Sequence, residues 1–355
     1  MTFTTSGQPQ INFGRLLGYY TRDFRVARAE AATDYLTLIC LNSDLPGAVG
    51  QSQVSVCHEA LKELVLETRE FALLLGDIHA DGTRIKGAIE QRVSLINLKD
   101  QDEFLRTLTI QAAAVADDSG RITDAVLLYH LAEEYDNVIL IINRALSDAI
   151  AVDLSQDQMR LQPLKPRQPD QQQQQSQQNQ NQPQTSLSLT SVDDPTTLAR
   201  NMINLYNSTA LYFRKIRPAN RDACGLLLRI STAKSEVASQ SYSSALDTIA
   251  SLELLPLRAS GNVSVIRSAA QAFNALPQVV ARNVGNLLLW SIMCLGKQRE
   301  AVRAKGFRAG GDEMAVEGLL QAAKDLMVFA GLIRYKLAPE VMDVLARAGQ
   351  MVEGF

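Results

Sequence analysis

The sequence has few aromatic residues, no excess of positive charge and no long apolar run. Aromatic residues make up 6% of the 355 residues, with a single tryptophan. Surfaces for nucleic acid or anionic lipid are basic, whereas the net charge here is −3, so neither is expected as a direct partner. The longest apolar runs, Val138–Ile142 and Leu287–Leu295, are shorter than the roughly 20 residues of a membrane span. The first ten residues lack the basic and apolar regions of a signal peptide. We therefore expect a soluble protein without a transmembrane segment.

The four cysteines are far apart and form no C-x-x-C pair, which excludes the usual zinc and redox motifs. Each lies among apolar neighbours, a pattern typical of small buried side chains in a reducing compartment. These residues are Cys40, Cys57, Cys224 and Cys294.

One polar tract interrupts the chain. Residues 162–194 are rich in Gln, Asn, Pro and Ser and contain too little apolar surface to offset their ordering entropy. We predict three parts: helical residues 1–161, a disordered loop or linker over 162–194, and helical residues 195–355. The tract is interpreted as a flexible insertion, with a polar partner-binding segment as the alternative.

Apolar residues on both sides of the tract recur at steps of three and four, the period of a helix. Leu198, Met202, Leu205, Thr209 and Tyr212 form one such stripe after the start signal Asp193-Asp194-Pro195. Others include Leu61, Leu64, Val65, Thr68, Phe71 and Leu75, ended by Gly76, and Val316, Leu319, Leu320, Ala323, Leu326, Met327 and Ala330. Pro339 should open a final short helix. Val263–Ile266 is the only weak strand candidate. The predicted class is all-α.

Three stretches share a turn, a small residue and a bulky apolar residue three or four positions later. They are Phe24–Leu41, Gly120–Tyr135 and Gln240–Leu257, with Ala31, Ala125 and Ala245 followed by Tyr35, Tyr129 and Ile249. Small residues allow two helices to approach closely, as in stacked helix-pair repeats. We predict an irregular, elongated α-solenoid of stacked antiparallel helices, with a compact helical bundle as the alternative.

The sharpest candidate for chemistry is the run Gly76-Asp77-Ile78-His79-Ala80-Asp81-Gly82. Asp77, His79 and Asp81 resemble part of a metallophosphatase ligand run, which would make the protein a metal-dependent hydrolase. However, the residues before it have a helical period where that motif needs a strand, and the other histidines are only His58 and His130. Asp and His alone are two ligands, and two ligands do not make a site because zinc or a similar metal needs at least three. We predict instead a turn at Asp77 and Asp81, after a helix ended by Gly76.

Other catalytic patterns fail on spacing. Gly296-Lys297 resembles a phosphate loop only superficially, because that loop needs Gly at 291 and Ser or Thr at 298, where the chain has Ser291 and Gln298. His130 has no Cys or Ser nucleophile at recognisable spacing and is interpreted as a structural or surface residue. The basic run Lys297–Arg308 is interpreted as a solvated face, with contact to an acidic partner as the alternative. The sequence therefore predicts no enzyme and no catalytic, cofactor-binding or metal-binding residues.

Three stretches are similar to the nucleoporin-interacting component family of inner-ring scaffold nucleoporins. They are Phe13–Phe24 (FGRLLGYYTRDF), Arg69–Glu90 (REFALLLGDIHADGTRIKGAIE) and Ala112–Leu146 (AAAVADDSGRITDAVLLYHLAEEYDNVILIINRAL). Weaker similarity continues through Tyr206–Leu257 and Asp325–Val344.

The resemblance implies a non-catalytic scaffold of the nuclear pore complex at the nuclear envelope, which supports transport of protein and mRNA by binding other nucleoporins. In the family, the solenoid surface receives a disordered linker nucleoporin. A coiled-coil region before the solenoid binds large scaffold nucleoporins and the channel trimer, and the chain resembles only the later part of the solenoid. The partner-binding residues stay unknown from sequence, and a helical-repeat adaptor of another cytosolic or coat complex is the alternative.

Overall fold

The computed structural model describes residues 2–3, 9–42, 48–79, 83–93, 101–154, 156, 158–162, 192–208, 210–304 and 310–353. The polar tract lies outside these residues except at its ends, so the division at 162–194 stays a prediction. By internal contacts the chain forms two compact units. Unit 1 comprises Met1–Ile141, Leu161–Asp193 and Asn201–Lys215, and unit 2 comprises Ile142–Arg160, Asp194–Arg200 and Ile216–Phe355.

Helices dominate the described residues, which confirms the all-α class. From the N-terminus to the polar tract the helices are α1 (Phe13–Arg22), α2 (Ala29–Thr37), a 3₁₀ turn (Leu38–Asn42), α3 (Ala48–Thr68), α4 (Phe71–Leu74), α5 (Ala88–Val93), α6 (Gln101–Asp118), α7 (Ile122–Leu131) and α8 (Tyr135–Ala151). After the tract they are α9 (Pro195–Asn207), α10 (Ala210–Arg214), α11 (Pro218–Ala238), α12 (Tyr242–Ser251), α13 (Val263–Asn274), α14 (Gln278–Ala281), α15 (Val284–Ala304), α16 (Gly310–Leu332) and α17 (Pro339–Glu353).

The predicted helix starts at Pro195 and Pro339 are confirmed. At the first, the Asp194 carboxylate accepts a hydrogen bond from the backbone N–H of Thr197 at 2.8 Å, which is the expected N-cap. The stripe that follows ends earlier than predicted, because α9 stops at Asn207 and a new short helix begins at Ala210. Thr209 lies outside the described residues.

The one strand prediction is wrong, and two short strand pairs were not predicted. Val263–Ile266 begins helix α13, where the Asn262 side chain accepts from the backbone N–H of Ser264 and caps the helix. Conversely, β3 (Gly76–Ile78) pairs antiparallel with β4 (Arg84–Lys86), and β1 (Thr2–Phe3) pairs with β2 (Pro9–Gln10). Strands of two or three residues are too short to show the alternation that identifies a strand in sequence.

A similar helical hairpin occurs in each compact unit. In unit 1, α6 turns into α7 at Gly120, and in unit 2, α11 turns into α12 at Gln240; both residues have positive φ. The first turn closes with backbone hydrogen bonds from Arg121 to Ala116 and from Gly120 to Asp117, each 2.9 Å. The second repeats the pattern, with bonds from Ser241 to Glu236 and from Gln240 to Val237. This double closure ends a helix and reverses the chain.

The small residues predicted at helix contacts are confirmed in two of the three stretches. Ala125 and Ala245, the fourth residues of α7 and α12, are fully buried. In the remaining stretch the prediction is off by one residue, since Ala32 is fully buried whereas Ala31 is half-buried. The ring of Tyr35 is partly exposed and packs edge-on against Tyr20, with centroids 5.1 Å apart.

The expectation that no stretch is long and apolar enough to span a membrane requires one correction. By length and composition, one stretch of the described residues, Gln278–Ala304, could cross a membrane, and 56% of its apolar window is buried within the protein. In unit 2, α15 packs on α12, α16 and α17 and buries Leu287, Leu288 and Cys294. This is the environment of a core helix.

Candidate functional site

The residues of the candidate metal run lie at the β3–β4 hairpin. Asp77 is in β3, 7% exposed, and its Oδ1 accepts from the backbone N–H of Ile78 at 2.8 Å. His79 is exposed, and its backbone N–H donates to the carbonyl of Thr83 at 2.8 Å. Asp81 lies outside the described residues. The prediction of a turn at Asp77 is therefore wrong, because this residue belongs to a strand.

Two glycines make this hairpin possible. Gly76 has φ +117, and a Cβ there would lie 2.4 Å from the carbonyl oxygen of Ile85. A Cβ at Gly87 would lie 2.4 Å from the carbonyl oxygen of Leu74. Since both obstacles are backbone atoms, the hairpin seats against the end of α4 only if both positions are glycine. Nowhere in the described part of the chain do three or more His, Cys, Asp or Glu side chains lie close enough to hold a metal.

His130 lies in a buried aromatic cluster, so of the two interpretations from sequence, structural or surface, its 6% exposure favours the structural one. Its Nδ1 is 3.1 Å from the hydroxyl of Tyr206, and the two rings are stacked with centroids 5.7 Å apart. Tyr135 and Tyr212 pack edge-on around the pair. Burial lowers the pKa of His130 to about 4, with a smaller contribution from Arg84 in the same direction. A neutral imidazole in this setting is a packing element of unit 1.

The cysteines are also packing elements. All four are buried and free, as predicted. Burial raises the pKa of Cys224 to about 12 and that of Cys294 to about 11. Thiols with such pKa values are poor nucleophiles at neutral pH.

The Gly296-Lys297 pair lies inside α15, where no loop could surround a phosphate. Lys297 donates to the carboxylate of Glu300 at 2.9 Å, one turn further along the exposed face. This agrees with a solvated face for the described portion of the basic run, which ends at Ala304.

Among the described residues, one feature with the geometry of a binding site is a groove between α1 and α3 in unit 1, about 930 Å³ in volume. At one end α1 touches α3, since a Cβ at Gly14 would lie 2.8 Å from a methyl group of Val56. At the other end Arg25 Nη1 donates to Glu67 at 2.6 Å and lies 3.6 Å from Glu63. Between the two ends Gly18 lines the groove, and an added Cβ there would meet nothing within 4 Å.

The two walls of this α1–α3 groove differ in charge. The α1 wall contributes Arg15 and Arg22, whereas the α3 wall contributes Glu59 and Glu63 together with Lys62. Arg25 is 5% exposed, and its Nη2 donates to the carbonyl of Gly18 at 2.9 Å. Its Nε is buried without a hydrogen-bond partner in the described part of the chain. A ligand of the groove would therefore meet opposite charges on its two flanks.

Apolar side chains continue the surface on the outer side of α1. Phe13, Leu16, Tyr19 and Tyr20 are 43%, 48%, 66% and 56% exposed, whereas Leu17 and Thr21 face the core. Four large exposed side chains on a ten-residue helix are unusual for a free surface and typical of an interaction site.

Comparison with known proteins decides the family. The Nup93/Nic96 family model matches residues 1–344. The chain belongs to the Nup93/Nic96 family. It is 49% identical over 351 residues to nucleoporin NIC96 of Chaetomium thermophilum, covering 98% of this chain and 31% of that protein. Identity to nucleoporin NIC96 of Saccharomyces cerevisiae is 35% over 343 residues, or 96% of this chain and 37% of that protein. This chain thus spans about a third of the length of these curated relatives.

The fold is that of a solved Nup93/Nic96 solenoid. The crystal structure of the Chaetomium thermophilum Nic96 SOL matches 98% of this chain and 48% of its own chain, with a TM-score of 0.88 and 49% identity. The all-α solenoid predicted from helical periodicity is therefore confirmed, and the resemblance in the three motif stretches reflects true family membership. Sequence patterns did not identify the α1–α3 groove, although Gly14 and Gly18 are four residues apart in one of those stretches.

Proposed function

We propose that this chain is a structural component of the inner ring of the nuclear pore complex and acts by binding other nucleoporins. The observation that carries the proposal is the family match over residues 1–344 together with the solenoid fold. The α-solenoid has no catalytic step to perform. It is a semi-rigid support whose grooves accept segments of partner proteins.

The partner that best suits a solenoid surface is a disordered linker nucleoporin. Such a segment offers short amphipathic helices, and a groove with apolar edges and charged walls provides both anchoring and orientation. Individually modest contacts become strong in a ring, because each further contact is made at high effective concentration. Contacts with the large scaffold nucleoporins and the channel trimer are assigned to the coiled-coil region that precedes the solenoid in the family.

Localisation and capture test the proposal. A fluorescent fusion of the chain should give a punctate nuclear rim, and affinity purification from cell extract should recover other nucleoporins. The fluorescent tag alone is the control for both measurements. A diffuse or vesicular signal, or purification without any nucleoporin, would contradict the proposal and favour an adaptor of another complex.

A further inference from the structure

Cys40 and Cys57 lie against each other in unit 1, although they belong to different helical segments. Cys40 is in the 3₁₀ turn Leu38–Asn42, and Cys57 is in α3. The Sγ of Cys57 donates to the carbonyl oxygen of Leu36 at 3.5 Å. Leu36 precedes Cys40 by four residues, about one helical turn, so α3 places the Cys57 sulfur on the face that carries Cys40. The two thiols are themselves in hydrogen-bonding contact.

This contact makes Cys40 the more acidic of the two thiols. The hydrogen bond with Cys57 lowers the pKa of Cys40, against the opposite effect of burial. The same bond raises the pKa of Cys57, and burial raises it further. Cys224 differs from Cys40, because burial raises its pKa to about 12. Since the thiolate is the reactive form of cysteine, Cys40 is the thiol of this pair that reacts first.

Cys40 is also closer to solvent than Cys57. It is 3% exposed, whereas Cys57 is 0% exposed. Its neighbours in the 3₁₀ turn lie at the surface, with Leu41 69% and Leu38 38% exposed. Short surface segments open locally at a lower free energy than the interior of a long helix. A small oxidant such as hydrogen peroxide therefore reaches Cys40 from the surface, with Cys57 behind it as a second thiol.

We propose that Cys40 and Cys57 form a reversible oxidation site, at which a hydroperoxide converts the two thiols into an intramolecular disulfide. The Cys40 thiolate attacks one peroxide oxygen and the O–O bond breaks. Cys40 becomes a sulfenic acid, and the leaving hydroxide takes up a proton to form water. The Cys57 sulfur then attacks the sulfenic sulfur, and the hydroxyl group leaves with the Cys57 proton as a second water.

The balance of this reaction is two thiols and one peroxide giving one disulfide and two waters. The sulfur pair loses two electrons, which the peroxide gains. A dithiol reverses the reaction by thiol–disulfide exchange and is itself oxidised. The bond fastens the 3₁₀ turn to α3 within unit 1. No step needs a partner nucleoporin, so the site is tested on the purified chain.

The test is mass mapping of the full 355-residue chain after treatment with hydrogen peroxide at pH 7. Remaining thiols are alkylated under denaturing conditions. Trypsin leaves Cys40 and Cys57 in one peptide, residues 29–62, because no Lys or Arg lies between Arg28 and Lys62. That peptide should escape alkylation and weigh two hydrogens less than its reduced form, and dithiothreitol should restore both thiols. The peptides with the other two cysteines should stay fully alkylated.

Two serine variants separate the roles of the two thiols. In Cys57→Ser the sulfenic acid on Cys40 lacks a partner thiol, so dimedone, which captures sulfenic acids, should label Cys40. In Cys40→Ser the peroxide should leave Cys57 reduced. Cys224→Ser is the matched control, because it removes a buried cysteine of unit 2 and should form the disulfide as the wild-type chain does. Circular dichroism establishes that each variant is folded.

Three outcomes would overturn the proposal. The peptide of residues 29–62 could stay doubly alkylated after peroxide treatment of the folded chain, it could gain oxygen atoms instead of losing two hydrogens, or its cysteines could join two chains in a dimer on a non-reducing gel. Oxidation of the same chain in urea shows that the peroxide is active. Because the mass map uses the wild-type chain, it decides the proposal even if a serine variant fails to fold.

Discussion

Unit 1 should lose stability as the pH falls from 7 to 5, and His130 should account for much of the loss. Burial lowers the pKa of His130 to about 4 in the folded state, whereas an unfolded histidine has a pKa of about 6.5. The unfolded state therefore binds a proton over this range and the folded state does not. Stability from a lowered histidine pKa is present above the unfolded pKa and lost as the pH decreases toward the folded one.

The size of the effect follows from these two pKa values. Linkage gives a decrease of about 1.8 kcal/mol in the free energy of unfolding between pH 7 and pH 5 from this residue alone. His58, whose pKa is also lowered by burial and whose ring stacks on Phe104 with centroids 3.7 Å apart, adds to the loss in the same direction. The contribution of His130 is therefore measured as a difference between wild type and variant.

The assay is urea unfolding followed by circular dichroism at pH 7, 6 and 5 at constant ionic strength. His130→Phe keeps an aromatic ring beside Tyr206 but removes the titrating group. Its free energy of unfolding at pH 7 should be lower than that of wild type. Between pH 7 and pH 5 its free energy of unfolding should decrease by about 1.8 kcal/mol less than that of wild type. His79→Asn, at an exposed position outside the aromatic cluster, is the matched variant for loss of a histidine. If His130→Phe retains the full wild-type pH dependence, the imidazole is not held neutral by burial.

Three further predictions concern packing and the polar tract. Gly87→Ala should destabilise the protein by about 2–3 kcal/mol or more in urea unfolding, because its Cβ would overlap backbone; Gly225→Ala, a helical glycine with open space, should be neutral or stabilising by up to about 1 kcal/mol. Ala125→Arg should unfold unit 1 or lower its melting temperature severely, since it places a charge at a fully buried position, whereas Ala301→Arg on an exposed face of α15 should melt like wild type. Deleting residues 168–184 should leave the melting temperature nearly unchanged, because closure entropy depends weakly on loop length; a large decrease would show that the tract is structural.

Helical class was predictable because its signals are local. The period of Leu61, Leu64 and Val65 and the cap at Asp194 are both encoded within one or two turns of chain. All three apolar residues are fully buried in α3. The hairpin at Gly76 was not predictable in this way. Glycine is required at Gly76 because the backbone of Ile85 approaches it, and at Gly87 because the backbone of Leu74 approaches it. The members of each pair are close in space but not in sequence, so a local pattern does not reveal the contact. The described part of the metallophosphatase-like run lies in and directly after strand β3, where Asp77 is buried and accepts from the backbone N–H of Ile78.

Register within a predicted helix was less certain than its existence. Ala31 and Ala32 are both small, and only the position of α2 on its neighbours decides which one is buried. Which of two adjacent residues is buried depends on tertiary packing. Helical periodicity predicts an apolar face about 100° wide and does not single out one residue on it. The same limit applies to Val263–Ile266, where β-branched residues favour a strand locally and the Asn262 cap with the buried Ile266 and Ala270 favours a helix.

The groove shows most clearly what sequence patterning leaves out. Periodicity assigns Leu16 and Tyr20 to α1. It does not distinguish an apolar side chain buried in the core from an apolar side chain exposed at the surface. What separates them is the packing of each side chain in the folded protein, which leaves Leu16 48% and Tyr20 56% exposed. The two glycines of α1 have the same ambiguity in sequence. A Cβ at Gly14 would lie 2.8 Å from Val56, so this glycine is at a helix contact, whereas a Cβ at Gly18 would meet nothing within 4 Å. The groove therefore becomes recognisable only once the packing of α1 on α3 is known.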